Sequence, residues 1–181
     1  MKFVLLLLLA AAWASNALAA EGPVPKLLPK VNSLPLALSK DFEFRKTKLF
    51  WLGEPRKPRK NSFSTTNPGI AEASMNFEST YRMYGAITEA DKQQRMGNYF
   101  DFFWRAKRPA NLTVRLEYRQ DKLRSFVQAR EVTYKNAKGN FKTEFAVIGD
   151  DYANDGRVIA WRCLLIENGK IVAQNLSYLW E

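Results

Sequence analysis

The sequence predicts an all-β protein, an antiparallel β-sandwich of about seven or eight strands. Three observations lead to this fold class. The C-terminal stretch Val158–Trp180 holds Asn168-Gly169 between two apolar runs, and Asn-Gly supplies the two positive-φ residues that a tight type I′ hairpin requires. Segments in which apolar and polar residues alternate, clearest in Leu112–Arg119, recur between turn-forming residues. Helix signals are confined to one short stretch, Thr88–Gly97, where Thr88 caps a turn and Asp91 stands three residues on as its box partner.

The elements follow in order. Residues 1–19 read as a signal peptide, with Lys2, an apolar run Phe3–Trp13 and small residues at Ala17-Leu18-Ala19. The run is shorter than the roughly 20 residues that span a bilayer, and no membrane span is expected after cleavage. No cysteine follows the cleavage point, which argues against a lipid anchor. The mature chain is therefore expected in the periplasm or outside the cell. Residues 20–40 carry Pro23, Pro25, Pro29 and Pro35 and read as an extended proline-rich linker, whose leucines could lay part of it along the domain.

The β domain covers residues 41–181. Asp41–Leu52 is a strand whose alternation breaks near Lys46–Leu49, the mark of a bulge or bend. Ala71–Gly85 alternates Ala71, Ala73, Met75 and Phe77 with Glu72, Ser74, Asn76 and Glu78, and reads as a long half-buried strand. In Tyr99–Arg105, Phe100, Phe102 and Trp104 share the core face, leaving Tyr99 and Phe103 for surface contact. Leu112, Val114, Leu116 and Tyr118 face inward in the next strand, and Arg115, Glu117 and Arg119 form a solvated outer stripe. Ser125–Tyr134 and Phe141–Ile148 are two further strands about a turn at Asn136–Asn140. In the closing hairpin a two-residue turn pairs Glu167 with Lys170, Leu165 with Val172, Cys163 with Gln174 and Trp161 with Leu176, all on the core face. Arg162 and Asn175 lie on the less apolar face, where contact with a partner is first expected.

Trp161 in a central strand, the hairpin at Glu167–Lys170 and a last strand ending in Tyr178 and Trp180 carry a likeness. On these features Asn98–Trp180 resembles an immunoglobulin-like or fibronectin-type sandwich module of a secreted bacterial protein. The resemblance implies an immunoglobulin-like arrangement of strands. The chain departs from antibody-type domains in lacking the second cysteine of the inter-sheet pair. Such modules share no catalytic residues, so the resemblance implies no activity.

The absence of histidine removes Ser-His-Asp and Cys-His catalysis and His-ligated zinc. The single cysteine, Cys163, rules out an intramolecular disulfide and multi-cysteine metal sites, and its inward position reads as packing. No phosphate-binding or dinucleotide fingerprint is present, and no cofactor is expected. The formal net charge of +10, one lower once Lys2 leaves with the leader, favours anionic surfaces.

Two loops are candidate sites. Arg56, Lys57, Arg59 and Lys60, held open by Pro55 and Pro58, could bind anions, although a basic loop is also an ordinary solvated loop. No aromatic residue is interleaved there, and no nucleic-acid partner is expected. Asp150, Asp151 and Asp155 could ligate a hard cation such as calcium, or simply build a turn. The function read from the sequence is a non-catalytic secreted or periplasmic module, structural or interacting, with a protein or an anionic polysaccharide of the cell envelope as partner. The alternatives are a binder of anionic envelope polymers through the basic loop and a small carboxylate-dependent hydrolase.

Overall fold

Two exceptionally long strands organise the chain. In the computed structural model, which describes residues 23–53 and 70–180, β3 runs from Gly97 to Gln120 and β4 from Val127 to Ile148. They pair antiparallel along nearly their whole length. Around them lie β1 (Lys26–Leu27), β2 (Phe42–Leu52), β5 (Val158–Glu167) and β6 (Lys170–Leu176). All six join one sheet of order β1-β4-β3-β5-β6, with β2 paired to the first half of β3. The named strand pairs are all antiparallel, as the sequence predicts for an all-β chain. The expected leader and the candidate basic loop lie outside the described residues.

Among the described residues there are six strands where seven or eight are expected: two expected turns are kinks inside continuous strands, one expected strand is a helix, and β1 is added from the proline-rich segment. Tyr99–Arg105 and Leu112–Arg119 are both parts of β3, and Ser125–Tyr134 and Phe141–Ile148 are both parts of β4. The irregularities face each other: Ala106 pairs with Gly139 and Ala110 with Ala137, and the register slips between them. Pro109, which has no N–H to give a ladder, sits in this bulge with Lys107 and Arg108 exposed beside it. On β4, Asn136 and Gly139 take positive φ of 50° and 103°. The Asn136 N–H donates to Asn111 Oδ1 at 2.8 Å across the kink. The Gly-containing turn signal was physically real, but it bends a strand instead of ending one.

The kink lets both halves of the sheet face one core. Phe100, Phe102, Trp104 and Phe145 from one half pack with Leu112, Val114, Leu116, Trp161, Cys163 and Leu165 from the other. Phe102 meets Trp161 with ring centres 5.4 Å apart, and Trp104 stacks on Phe141 at 4.6 Å. The Trp104 Nε1–H donates to Thr143 Oγ1 at 2.8 Å, so the buried indole is satisfied. The inward sets expected in Tyr99–Arg105 and Leu112–Arg119 are all buried.

Three sequence expectations need correction. Ile70–Met83 is a helix, α1, not a strand. Its residues alternate, but Glu78 and Arg82 also fall one helical turn apart and pair at 2.8 Å. Ala71, Glu72, Ala73 and Met75 are good helix formers, and the segment has few β-branched residues. A second helix, α2 (Glu89–Arg95), starts at Thr88 with the reciprocal Thr88–Asp91 box in place, as the sequence predicts. The acidic loop is the short helix α3 (Asp150–Asp155).

The third correction concerns the closing hairpin. Glu167–Lys170 and Ile166–Ile171 pair as expected, then a bulge shifts the register so that Leu165 meets Ala173, Cys163 meets Asn175 and Arg162 meets Leu176. Val172 and Ala173 both join the core as a result. Asn175 leaves the outer face, and its Nδ2–H donates to Thr47 Oγ1 of β2 at 2.6 Å. The bulge expected in β2 is present between Phe44 and Lys46.

Two outcomes are expected. Gly139→Ala meets no atom within 4 Å of its new Cβ, so its whole cost is backbone strain; urea unfolding should show a loss of about 1–3 kcal/mol. Burial holds the Cys163 thiol well above its ordinary pKa. A neutral thiol reagent should leave it intact in the native protein at pH 8 and label it fully in denaturant.

Candidate binding cleft beneath the N-terminal strap

Each half of the folded sheet also has an outer face, the first covered only at its Tyr99–Asp101 corner, where Lys142 and Glu144 nearby stay exposed, and the second more fully. On the first half the α1–α2 region does this: the Arg82 guanidinium lies 4.5 Å from the Tyr99 ring centre and 3.8 Å from Asp101. Tyr99 is buried there, its hydroxyl donating to the Arg95 carbonyl at 2.5 Å, and so is not the surface aromatic that the sequence suggests.

On the second half the cover is the proline-rich segment. Lys26 and Leu27 pair with β4, and the Leu28 N–H donates to the Ala129 carbonyl at 2.9 Å. Further on, Ile171 N–H donates to the Pro35 carbonyl, and Ala37 and Ser39 donate to the carbonyls of Ile171 and Val172, at 2.8–2.9 Å. Between these anchors residues 29–34 cross the outer face of the sheet as a strap. Pro29 and Pro35 suit this extended run because proline resists helix and needs no ladder donor. Leu34 packs on Leu164, Ile166 and Ile171 and clamps one end.

Beneath the strap lies the stripe expected to be solvated. It is instead a covered charged layer, with Glu117 only 1% exposed. The sheet register builds it: Glu117 stands directly across from Arg162 of β5, and Arg115 across from Glu131 of β4. Arg162 Nε donates to Glu117 Oε2 at 2.7 Å, and an Arg115 terminal nitrogen lies 3.6 Å from Glu117 Oε1. Arg115 Nε donates to Glu131, and its terminal nitrogen reaches the Asn32 carbonyl of the strap at 3.3 Å. Glu117 therefore orients two arginines with both its oxygens, and one of those arginines holds the strap.

A cleft of about 1050 Å³ opens between strap and sheet. Glu117, Arg119 and Arg162 lie on the sheet side, Phe126 and Val127 line it near the β3–β4 turn, and Trp180 closes part of it. Trp180 arrives through a 3₁₀ turn, Tyr178–Trp180, started by the Ser177 N–H donating to the Trp161 carbonyl at 2.8 Å. The guanidiniums of Arg119 and Arg162 lie 4.7 and 5.0 Å from its ring centre. Arg162 is thus shared between Trp180 and Glu117. Arg119 differs: among the described residues its buried Nε–H has no acceptor. Leaving such a donor unmatched costs on the order of 1–3 kcal/mol.

The acidic candidates separate. Asp150 accepts from Gln94 Nε2 at 3.0 Å, Asp151 pairs with Arg130, and Asp155 accepts from Gln128 Nε2 at 3.2 Å. Three partners in different places draw the carboxylates apart, and among the described residues no three His, Cys, Asp or Glu side chains group to hold a metal ion. Asp151 and Asp155 line the cleft, while Asp150 does not. Beside them burial raises the Tyr118 phenol above its ordinary pKa against the opposing pull of Arg130, and the phenol donates to Gln128 Oε1 at 3.0 Å. Of the hairpin residues singled out on the less apolar face, Arg162 reaches the cleft and Asn175 does not. Arg119 was visible in the sequence as a stripe residue, but its pairing with Trp180 has no local signal, because 61 positions separate them along the chain.

No protein-family model, curated protein or solved structure matches the chain. Among the described residues no helix is long and apolar enough to cross a membrane.

Glu117→Ala should lower stability by about 2–4 kcal/mol in urea unfolding, slightly less than a fully buried pair because Arg162 keeps some contact with water. The exposed Glu144→Ala should change it by no more than about 0.5 kcal/mol.

Proposed function

We propose that the protein is a non-catalytic interaction module of the periplasm or extracellular space, holding its partner at the strapped cleft. One observation carries this reading. The acid buried in the cleft floor spends both oxygens on arginines, whereas a cation, Arg119, has no matching acceptor among the described residues. Such a site is arranged to hold a ligand, since a carboxylate doing acid–base work must reach the proton that it moves. The leader-like residues 1–19 support export, and a sheet folded about one core supports the sandwich, with its immunoglobulin-like arrangement part of the same proposal.

The test is co-sedimentation of the purified mature protein with isolated cell-envelope fractions, comparing wild type with Arg119→Gln and Arg162→Gln. Retention that falls at least fivefold in both variants supports the cleft. Hydrolysis of an envelope glycan or ester that disappears in Asp151→Asn or Asp155→Asn, with the melting temperature unchanged, would replace this reading with the carboxylate-dependent hydrolase. The net charge of +10 favours a second reading, anionic polymer binding through Arg56, Lys57, Arg59 and Lys60. It predicts heparin retention that drops when all four become serine, and unchanged elution would remove it.

A further inference from the structure

We infer that the cleft binds a small monocarboxylate with an apolar body, its carboxylate on Arg119. The inference rests on reading the strapped cleft as the binding site and names the ligand's chemistry.

Charge, geometry and wall composition lead to it separately. Three cations (Lys30, Arg119 and Arg162) and three carboxylates (Glu117, Asp151 and Asp155) line the cleft, and Arg115 and Arg130 pair with two of those carboxylates. Five cations against three carboxylates leave the site net positive. Glu117 joins Arg115 and Arg162, Glu131 takes Arg115 as well, and Asp151 takes Arg130. Arg119 has no carboxylate among the described residues, and its buried Nε–H has no acceptor. An anionic group seated on Arg119 answers this unpaired cation. A dianion such as a phosphate monoester would meet Asp151 and Asp155 on the same walls.

The geometry selects a planar acceptor. Trp180 lies against Arg119 with 4.7 Å between guanidinium carbon and ring centre. With Nε covered, the terminal N–H groups are what Arg119 can offer a ligand in the cleft, and that pair matches a carboxylate through paired hydrogen bonds. The rest of the ligand meets Leu27, Leu123, Phe126 and Val127 on the walls. Leu27 and Phe126 are more than half exposed, apolar surface that an apolar body would cover. A cleft of about 1050 Å³ has room for a body of this size.

Calorimetric titration of the full mature protein with octanoate and with 1-octanol tests the inference. The two probes share an apolar chain and differ in the carboxylate. Octanoate is expected to bind at least tenfold more tightly than octanol, and Arg119→Gln should remove that difference while leaving octanol binding unchanged. Arg119→Lys, which keeps the charge and loses the paired hydrogen bonds, should fall between. Trp180→Leu, in a 3₁₀ turn that holds no buried residue, should weaken octanoate at least threefold and provides a second reading if Arg119→Gln does not fold. Octyl phosphate binding more tightly than octanoate would overturn the monoanion assignment. Equal binding of octanoate and octanol, with both lost in the strap variant Ser33→Trp, would overturn the carboxylate while leaving the cleft as a binding site. No binding of either probe, with envelope retention still dependent on Arg119, would overturn the small-ligand inference and leave the broader reading in place.

Discussion

The paired kink at the middle of the long β3–β4 hairpin is the constraint on which the rest depends. A 24-residue strand rising at ~3.3 Å per residue would extend well beyond the diameter of a domain this size if it stayed straight. The bulges on the two strands lie opposite each other, so the sheet bends as a unit and keeps its ladder on either side. One half then supplies the aromatic wall of the core and the other the aliphatic wall. The bend also brings β2 near β6, close enough for Asn175 to donate to Thr47. Without it, Phe102 and Trp161 would not meet, and each half would have an apolar face with nothing against it.

Folding the inner faces together leaves two outer faces, and the chain meets them by different means, covering only a corner of the first. Over the first half it uses helices and a cation–aromatic contact. Over the second it uses a proline-rich strap held at both ends by main-chain hydrogen bonds. The layer under the strap is charged, and its ions are matched by strand register. Burying an ion pair is only marginally favourable, whereas breaking one is costly, so the Arg115–Glu117–Arg162 group contributes more to specifying the arrangement than to net stability. The strap is tied to that group through Arg115 and Asn32, which links the floor of the cleft to its roof.

Much of this was legible locally. The inward residues of both β3 segments, the β2 bulge, the Thr88–Asp91 cap and the turn at Asn168-Gly169 all depend on neighbours within a few positions. The failures share one cause. Alternation in Ala71–Met83 was equally compatible with one-turn spacing, and only packing decides between the two. The Asn136–Gly139 signal correctly marked positive φ but could not say whether the chain reverses or merely bends, because that depends on the facing kink at Ala106–Ala110. The register of β6 slipped through a bulge driven by burial of both Val172 and Ala173, a preference of the core and not of the turn.

The amino-acid sequence by itself determined the all-β class, the inward face of the central strand, the buried position of Cys163 and the absence of histidine chemistry. These follow from periodicity and composition, which act over short distances or over none. Only the tertiary structure decided that a stripe of arginines and a glutamate lies buried beneath a proline-rich strap, and that Arg119 rests against Trp180. Those outcomes depend on which distant segment covers a face. A side chain at the outer position of a strand faces water or another part of the chain according to contacts that its own neighbours do not encode.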